Sequence, residues 1–189
     1  MDGERHLSCR VLIILEAPTN DQHILRPLVA RLLKECGKPN ARVVMLTNPA
    51  VAGYEDACRK LPEIRKAFRR FDLLVFLPDA DGKDLSQRFA QFEAEPGPKL
   101  LCCAAVEEVE AWLLSGHINK LDRSWPAVRT DPSVKENVFA PSLRLHGDSH
   151  RSGGGREELM RATLANLSGL LARCPELDDL KARICEALA

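Results

Sequence analysis

The chain has 189 residues, 45% of them hydrophobic, enough to bury the core of one compact domain and too few to require a second. Its 27 basic residues balance its 27 acidic ones, so a global field that would draw the protein onto nucleic acid is excluded and any such contact must be a local patch. The first ten residues, MDGERHLSCR, lack the apolar stretch of a signal peptide, and no segment is long and apolar enough to span a bilayer, so we expect a soluble cytoplasmic protein with no membrane partner.

Arg10 to Glu16, RVLIILE, is a continuous apolar run of the kind found in a parallel strand buried on both faces. The following PTND supplies a turn with Thr19 or Asn20 as the helix cap. Ile24, Leu25, Leu28, Val29, Leu32 and Leu33 then recur at helical spacing until Gly37. Ala41–Thr47 predicts a second strand, and Ala57, Leu61, Ile64 and Phe68 mark a second amphipathic helix, with Pro62 expected at an end or a kink. Within that segment the cations of Arg59 to Arg70 lie opposite the apolar stripe and read most simply as a solvated face.

DLLVFL predicts a third strand, Leu85 to Phe92 a short helix, and Lys99–Val106 a fourth strand. This βαβαβαβ order predicts an α/β fold, a mostly parallel four-stranded sheet flanked by helices. EEVEAWLLSG reads as a further helix, with Trp112, Leu113 and Leu114 in the core. His117 to Arg144 shows no clear period. RLHGDSHRSGGGR is a glycine-rich basic loop, and two final helices follow, one carrying Leu159, Leu164, Leu167 and Leu171, the other Leu177, Leu180, Ile184 and Leu188. Residues 1–115 are thus expected to form the α/β core, with 116–189 completing the same domain.

Seven cysteines occur without a CxxC pair and read as buried thiols in a reducing compartment. His146 and His150 have neither a Cys partner nor an HExxH pattern, so they do not make a zinc site.

The chemistry concentrates where strands end. In a parallel sheet the carboxyl ends of the strands share one edge, the usual ligand-binding edge. Strand one ends at Glu16, strand three at Asp79 and Asp81, and strand four runs into Glu107, Glu108 and Glu110. If strands one and three are neighbours, Glu16 and the two aspartates converge. Two carboxylates about 4 Å apart at an effective dielectric near 20 repel by roughly 4 kcal/mol, which calls for a raised pKa or a divalent cation. Hard oxygen donors suit Mg²⁺ or Mn²⁺. The plainer reading of DADG is an Asp-Gly turn, and that of the Glu107–Glu110 acids is the start of a helix.

Glu16 in LIILEAPTND together with Asp79 and Asp81 in LVFLPDADG resembles the Toprim family, whose pattern is a Glu after the first strand and DxD after the third. VEEVEAWLL resembles a feature of short stand-alone prokaryotic Toprim-like proteins related to the overcoming-lysogenization-defect nucleases. The resemblance covers Val11 to Leu114, and the C-terminal part more loosely. The family has Gly after the glutamate where this chain has Ala17 and Pro18, and the helix lacks a supporting acid at LLSG.

The resemblance implies a metal-dependent nuclease acting on DNA or RNA, with Asp79 and Asp81 binding Mg²⁺ (or Mn²⁺). It implies that Glu16 serves as ligand or general acid/base and that Glu108 and Glu110 complete a second metal position. It also implies a role in prokaryotic defence beside an ATPase as partner protein, since the chain has no GxxxxGK[ST] loop of its own. Lys83, Arg88, Arg151 and Arg156 are the candidate phosphate contacts. The alternatives are a non-catalytic Toprim-fold binding or regulatory subunit and, because of hhhhDxDG, a phosphatase of the haloacid dehalogenase type with Asp79 as nucleophile, although two strands precede that motif here. Oligomeric state is not legible from the sequence.

Overall fold

A computed structural model describes residues 9–16 and 20–189. Four strands, β1 (Arg10–Ile14), β2 (Arg42–Met45), β3 (Leu73–Phe76) and β4 (Leu100–Cys102), form one sheet of order β2-β1-β3-β4 in which every pairing is parallel. Between them run α1 (Gln22–Glu35), α2 (Tyr54–Ala67) and α3 (Ser86–Ala94). β1 is therefore central and lies directly beside β3, Ile14 opposite Phe76.

Alternate residues of the strands feed two apolar layers, because successive side chains on a strand point to opposite faces. Val11, Ile13, Val43, Leu73, Val75 and Leu101 pack with α1 and the C-terminal helices. Leu12, Ile14, Leu74, Phe76 and Cys102 pack with Leu61 and Ile64 of α2, against which Phe89 and Phe92 of α3 also lie. Both faces of β1 and β3 are buried, which is why each reads as an unbroken apolar run.

Beyond β4 the chain forms α4 (Glu110–Leu114), a 3₁₀ segment (Ser115–Lys120), α5 (Trp125–Arg129), a π-helical turn (Lys135–Phe139), α6 (Ala140–His146), a 3₁₀ turn (Ser152–Gly155), α7 (Arg156–Leu164), α8 (Leu167–Arg173) and α9 (Pro175–Ala187). Trp112, Leu113 and Leu114 are fully buried, as expected. The aperiodic stretch from His117 is a series of one- or two-turn helices, too short to establish a 3.6-residue period in sequence.

Four expectations are corrected. The first of the two C-terminal helices is in fact two, because Asn166 breaks it and accepts Gly169 N–H on its side-chain oxygen at 3.1 Å to start α8. Of the two places expected for Pro62, the end of α2 is excluded, because it lies inside the helix, as Pro27 lies inside α1. The cationic face of α2 is not wholly solvated: Arg65 is buried, and its guanidinium donates to Phe92 O at 3.0 Å and to Glu95 O, tying α3 to α2. Cys36 and Cys185 are joined in a disulfide, so only five of the seven cysteines are thiols. Periodicity could not show this pairing, because 149 positions separate the partners and only the packing of α9 against α1 brings them together.

A crosslink closing so long a loop stabilises mainly by restricting the unfolded chain. Reduction, or Cys185→Ser, is expected to lower unfolding stability by about 2–4 kcal/mol. Urea denaturation with and without a reductant checks this, and coincident curves would refute it. Among the described residues no helix is long and apolar enough to cross a membrane.

Candidate functional site

The carboxyl ends of β1 and β3 meet as adjacency requires. Leu77 N–H donates to Ile14 O at 3.0 Å, continuing the ladder, and the next donor on that side is Asp79 N–H. It does not take the Glu16 carbonyl, which accepts from Gly53 N–H at 2.9 Å; it takes the Glu16 carboxylate, Oε1, at 3.2 Å. The two acids separated by 63 positions are thus in contact through a side-chain extension of the sheet.

Asp79 is held from the other side by β4. It forms a parallel bridge with Ala105, and its Oδ1 accepts Val109 N–H at 2.8 Å from the residue that precedes α4. Burial, reinforced by the negative charges of Glu110, Glu16 and Asp21, pushes its carboxyl up to about 8, despite the Val109 hydrogen bond. Glu16 is also raised, first by burial and then by Asp81 and Asp21, against the opposing Asp79 N–H.

Asp81 has a different place. Ala80 O accepts Lys83 N–H at 2.9 Å across a tight turn whose central residues, Asp81 (φ 49°) and Gly82 (φ 68°), are both left-handed. Asp tolerates that region better than most residues and Gly is indifferent to it. Gly82 also lacks the Cβ that would press to 3.2 Å against the Glu107 carboxylate. The turn aims Asp81 outward, where its side chain is 67% exposed with Lys83 Nζ at 3.6 Å. DADG is therefore an Asp-Gly turn and also an acidic strand end, one role for each aspartate.

Glu110 is fully buried, and neither carboxylate oxygen has a well-formed hydrogen bond; Lys135 Nζ stands 3.2 Å from Oε1 as an ion pair. Burial raises its pKa and Lys135 draws it back. Glu108 turns aside: its Oε2 accepts Lys135 N–H at 2.8 Å, and burial raises it too. Glu107, also buried, accepts Asp81 N–H on its carbonyl at 3.3 Å and so positions the turn.

Two residues of the rim escaped the sequence reading. Asp21, rather than Thr19 or Asn20, immediately precedes α1, and its side chain makes no cap hydrogen bond. Its carboxyl is raised by burial and lowered by Lys135 and Arg156, and its charge reaches Asp79, Glu16 and Glu110. Lys135 lies in the stretch without periodicity. Burial acts to lower its ammonium pKa, and Glu110, Asp21 and Glu108 more than reverse this. The available signal for Asp21 was an acid in the same strand–helix turn as Glu16; for Lys135 there was none. Ala17, Pro18 and Thr19 lie outside the described residues.

The candidate phosphate contacts divide. Lys83 is exposed at the rim, paired only loosely with Asp81. Arg88 is committed to a bidentate pair with Glu55, both bonds 2.8 Å, and lies over the Tyr54 ring. Arg151 is paired with Asp148 and Glu158 at 3.4 and 2.9 Å. Arg156 donates to Gly153 O at 2.8 Å, stacks on Phe139 and acts on Asp21, so it borders the rim. Gly153, Gly154 and Gly155 all have left-handed φ, and Gly153 sits where a Cβ would overlap the His23 ring, which fastens the glycine loop to the start of α1.

The donor chemistry suits a hard divalent cation: carboxylates on three adjoining segments, two buried Glu110 oxygens without hydrogen bonds, and raised carboxyl pKa values that a cation would reverse. As the side chains stand, no group of three or more His, Cys, Asp or Glu among the described residues is gathered closely enough to hold an ion. Lys135 occupies the electrostatic role of a cation beside Glu110. No protein-family model, curated protein or solved structure matches this chain.

Proposed function

We propose that the protein is a Toprim-like phosphodiesterase that hydrolyses nucleic acid with Mg²⁺ or Mn²⁺, and that Glu16, Asp79 and Glu110 are the principal donors. The observation that carries this reading is the contact between Glu16 and Asp79 N–H, which brings acids from two neighbouring strand ends to one rim. A divalent ion supplies Lewis-acid polarisation of a phosphoryl oxygen and a lower pKa for an attacking water. Asp79, whose Oδ1 is held by Val109 N–H, would have its second carboxylate oxygen left to bind such an ion. Glu16, whose carboxyl is made more basic by burial and its acidic neighbours, is suited to take a proton from water. Lys83, exposed and only loosely paired with Asp81, is placed to meet a phosphate, and Arg156 flanks the rim next to Asp21. Asp81, exposed on its turn yet close enough for its charge to act on Glu16, would join these donors by a side-chain rotation.

A role in prokaryotic defence and an ATPase partner belong to the same reading through the family resemblance, and a cytoplasmic location goes with the five free thiols.

The test is incubation with single-stranded and duplex DNA and RNA plus Mg²⁺ or Mn²⁺, alongside Asp79→Ala and Glu16→Ala. Each substitution is expected to slow hydrolysis by about a hundredfold or more. Equal cleavage by all three proteins rejects the proposal.

One observation favours a non-catalytic binding subunit: Asp81 is turned outward and no three acids among the described residues are gathered for an ion. Calorimetry with Mg²⁺ and Mn²⁺ separates the two readings, since the enzyme requires ion binding that is lost in Asp79→Ala.

A further inference from the structure

β4 is an edge strand, and its exposed side is occupied only in part. Cys103 N–H and Ala105 N–H turn inward to Phe76 O and Pro78 O, so Cys102 and Ala104 present their peptide groups outward. At Cys102 both groups are taken: N–H donates to Glu93 Oε1 at 2.6 Å, and the carbonyl accepts Arg183 Nη1 at 3.3 Å. Glu93 and Arg183 also pair with one another, which closes the edge at that point. One step along, at Ala104, neither N–H nor C=O has a hydrogen-bond partner among the described residues.

Ala104 lines a cleft of about 500 Å³ together with Ala80, Gly82, Leu85, Phe89, Ala105 and Val106, and the exposed Lys83, Asp84 and Ser86 border it, Asp84 having one oxygen engaged by Ser86 N–H. Phe89 is half-buried and packs edge-on against Phe76 at 6.2 Å between ring centres, so its ring is fixed from below. The Glu176 carboxylate is engaged on both oxygens by Trp112 Nε1 and Arg129, whereas half-buried Ala104 contributes an unpaired N–H and C=O to the same lining. Lys83 connects the cleft to the acid rim, since it lines the one and pairs with Asp81 at the edge of the other.

We infer that this cleft holds one unpaired nucleobase next to the phosphodiester at the acid rim, and that the substrate is therefore single-stranded or frayed nucleic acid. The inference rests on the nuclease reading for its phosphate and names the substrate class of that site. One adjacent donor and acceptor suit a planar heterocycle, because each nucleobase carries a neighbouring donor and acceptor on its Watson–Crick edge. They do not suit an added peptide strand, which needs a run of open pairs where the Glu93–Arg183 pair leaves only one. The edge that Ala104 reads is buried in a duplex, so a paired base does not enter. Phe89 supplies an apolar ring, and Lys83 stands where the attached phosphate leaves the cleft for the rim.

The probe is a fluorescent oligonucleotide of mixed sequence, single-stranded or annealed to its complement, titrated with the full chain in EDTA so that no hydrolysis occurs. Single strand is expected to bind at least about tenfold more tightly than duplex, and Phe89→Leu to weaken single-strand binding about tenfold while leaving duplex binding unchanged, the loss expected for one aromatic–base contact. Thermal melting of the Phe89→Leu protein verifies folding. If it melts early, Ser86→Ile, which narrows the cleft from an exposed position without adding an aromatic ring, replaces it with the same expected loss.

Equal affinity for the two forms, no binding of either, or indifference to both substitutions overturns the inference. Hydrolysis of duplex and single strand at equal rates with no Phe89 effect removes the base cleft and leaves the nuclease reading standing. Selective single-strand binding by a protein that hydrolyses nothing removes the nuclease reading and leaves the cleft.

Discussion

Asp79→Asn is expected to raise the melting temperature at pH 8 by several degrees and to leave it unchanged near pH 3. In the folded protein burial and the neighbouring acids carry the Asp79 carboxyl up to about 8, whereas an unfolded aspartate titrates near its ordinary value of about 3.9. Between those values the folded state binds more protons than the unfolded one, so stability falls as pH rises through that window. Below pH 4 both states are protonated and the penalty disappears. Asparagine keeps an oxygen for Val109 N–H but carries no charge, and so removes the penalty.

With the shift discounted for the partial exposure of the site, the gain at pH 8 is on the order of 2 kcal/mol. This corresponds to about 4–8 °C for a chain of this size. Scanning calorimetry from pH 3 to pH 8 measures it, and a lower melting temperature for Asp79→Asn at pH 8 would contradict the account. Saturating Mg²⁺ should raise the melting temperature of the natural protein and not that of Asp79→Asn, since only a ligand that binds the folded state stabilises it.

The second large effect concerns Lys135. Its ammonium faces Glu110 at 3.2 Å, and Glu110 is fully enclosed with no well-formed hydrogen bond to either oxygen. Removing one partner of such a pair leaves the other charge buried and uncompensated, which costs about 3–5 kcal/mol for enclosed pairs. The Lys135 side chain is 41% exposed, so solvent screens part of this. Lys135→Met is therefore expected to lose about 2 kcal/mol at pH 7.5. The loss should shrink as pH falls, because a neutral Glu110 no longer needs the ammonium.

Glu110→Gln should absorb most of that loss, so that Lys135→Met costs little in a protein that already carries the glutamine substitution. A double-mutant cycle by urea denaturation reads the coupling directly. Equal costs of Lys135→Met with and without Glu110→Gln would show that the pair is not coupled. If the acids take up Mg²⁺, the ion and Lys135 compete for Glu110, and Lys135→Met should regain more stability from Mg²⁺ than the natural protein does.

Much of the architecture was legible because it depends on local spacing. The run Val11–Leu15 and the segment Leu73–Leu77 are apolar at every position since both faces of a central parallel strand are covered, and the helical repeats of Ile24 to Leu33 and Ala57 to Ile64 face that sheet. Where elements shrink to five to seven residues, as from Trp125 to His146, one or two turns cannot display a period, and the chain there read as featureless. The burial of Arg65 has no local signal for a related reason: a guanidinium can be buried if carbonyls receive it, and those of Phe92 and Glu95 come from another helix and its C-terminal cap.

The acid rim divides along the same line. Residues 10–16, 72–81 and 99–110 carried, by themselves, the three acidic strand ends and the parallel order that sends them to one edge. Only the tertiary structure decided that Asp79 is drawn inward onto Glu16 while Asp81 is turned to solvent, that Arg88 is consumed by Glu55, and that Asp21 and Lys135 belong to the same charge cluster. Strand ends follow from periodicity, a property of neighbours in sequence. Side-chain direction, burial and charge compensation depend on which distant segments close around a group, and those neighbours exist only once the chain has folded.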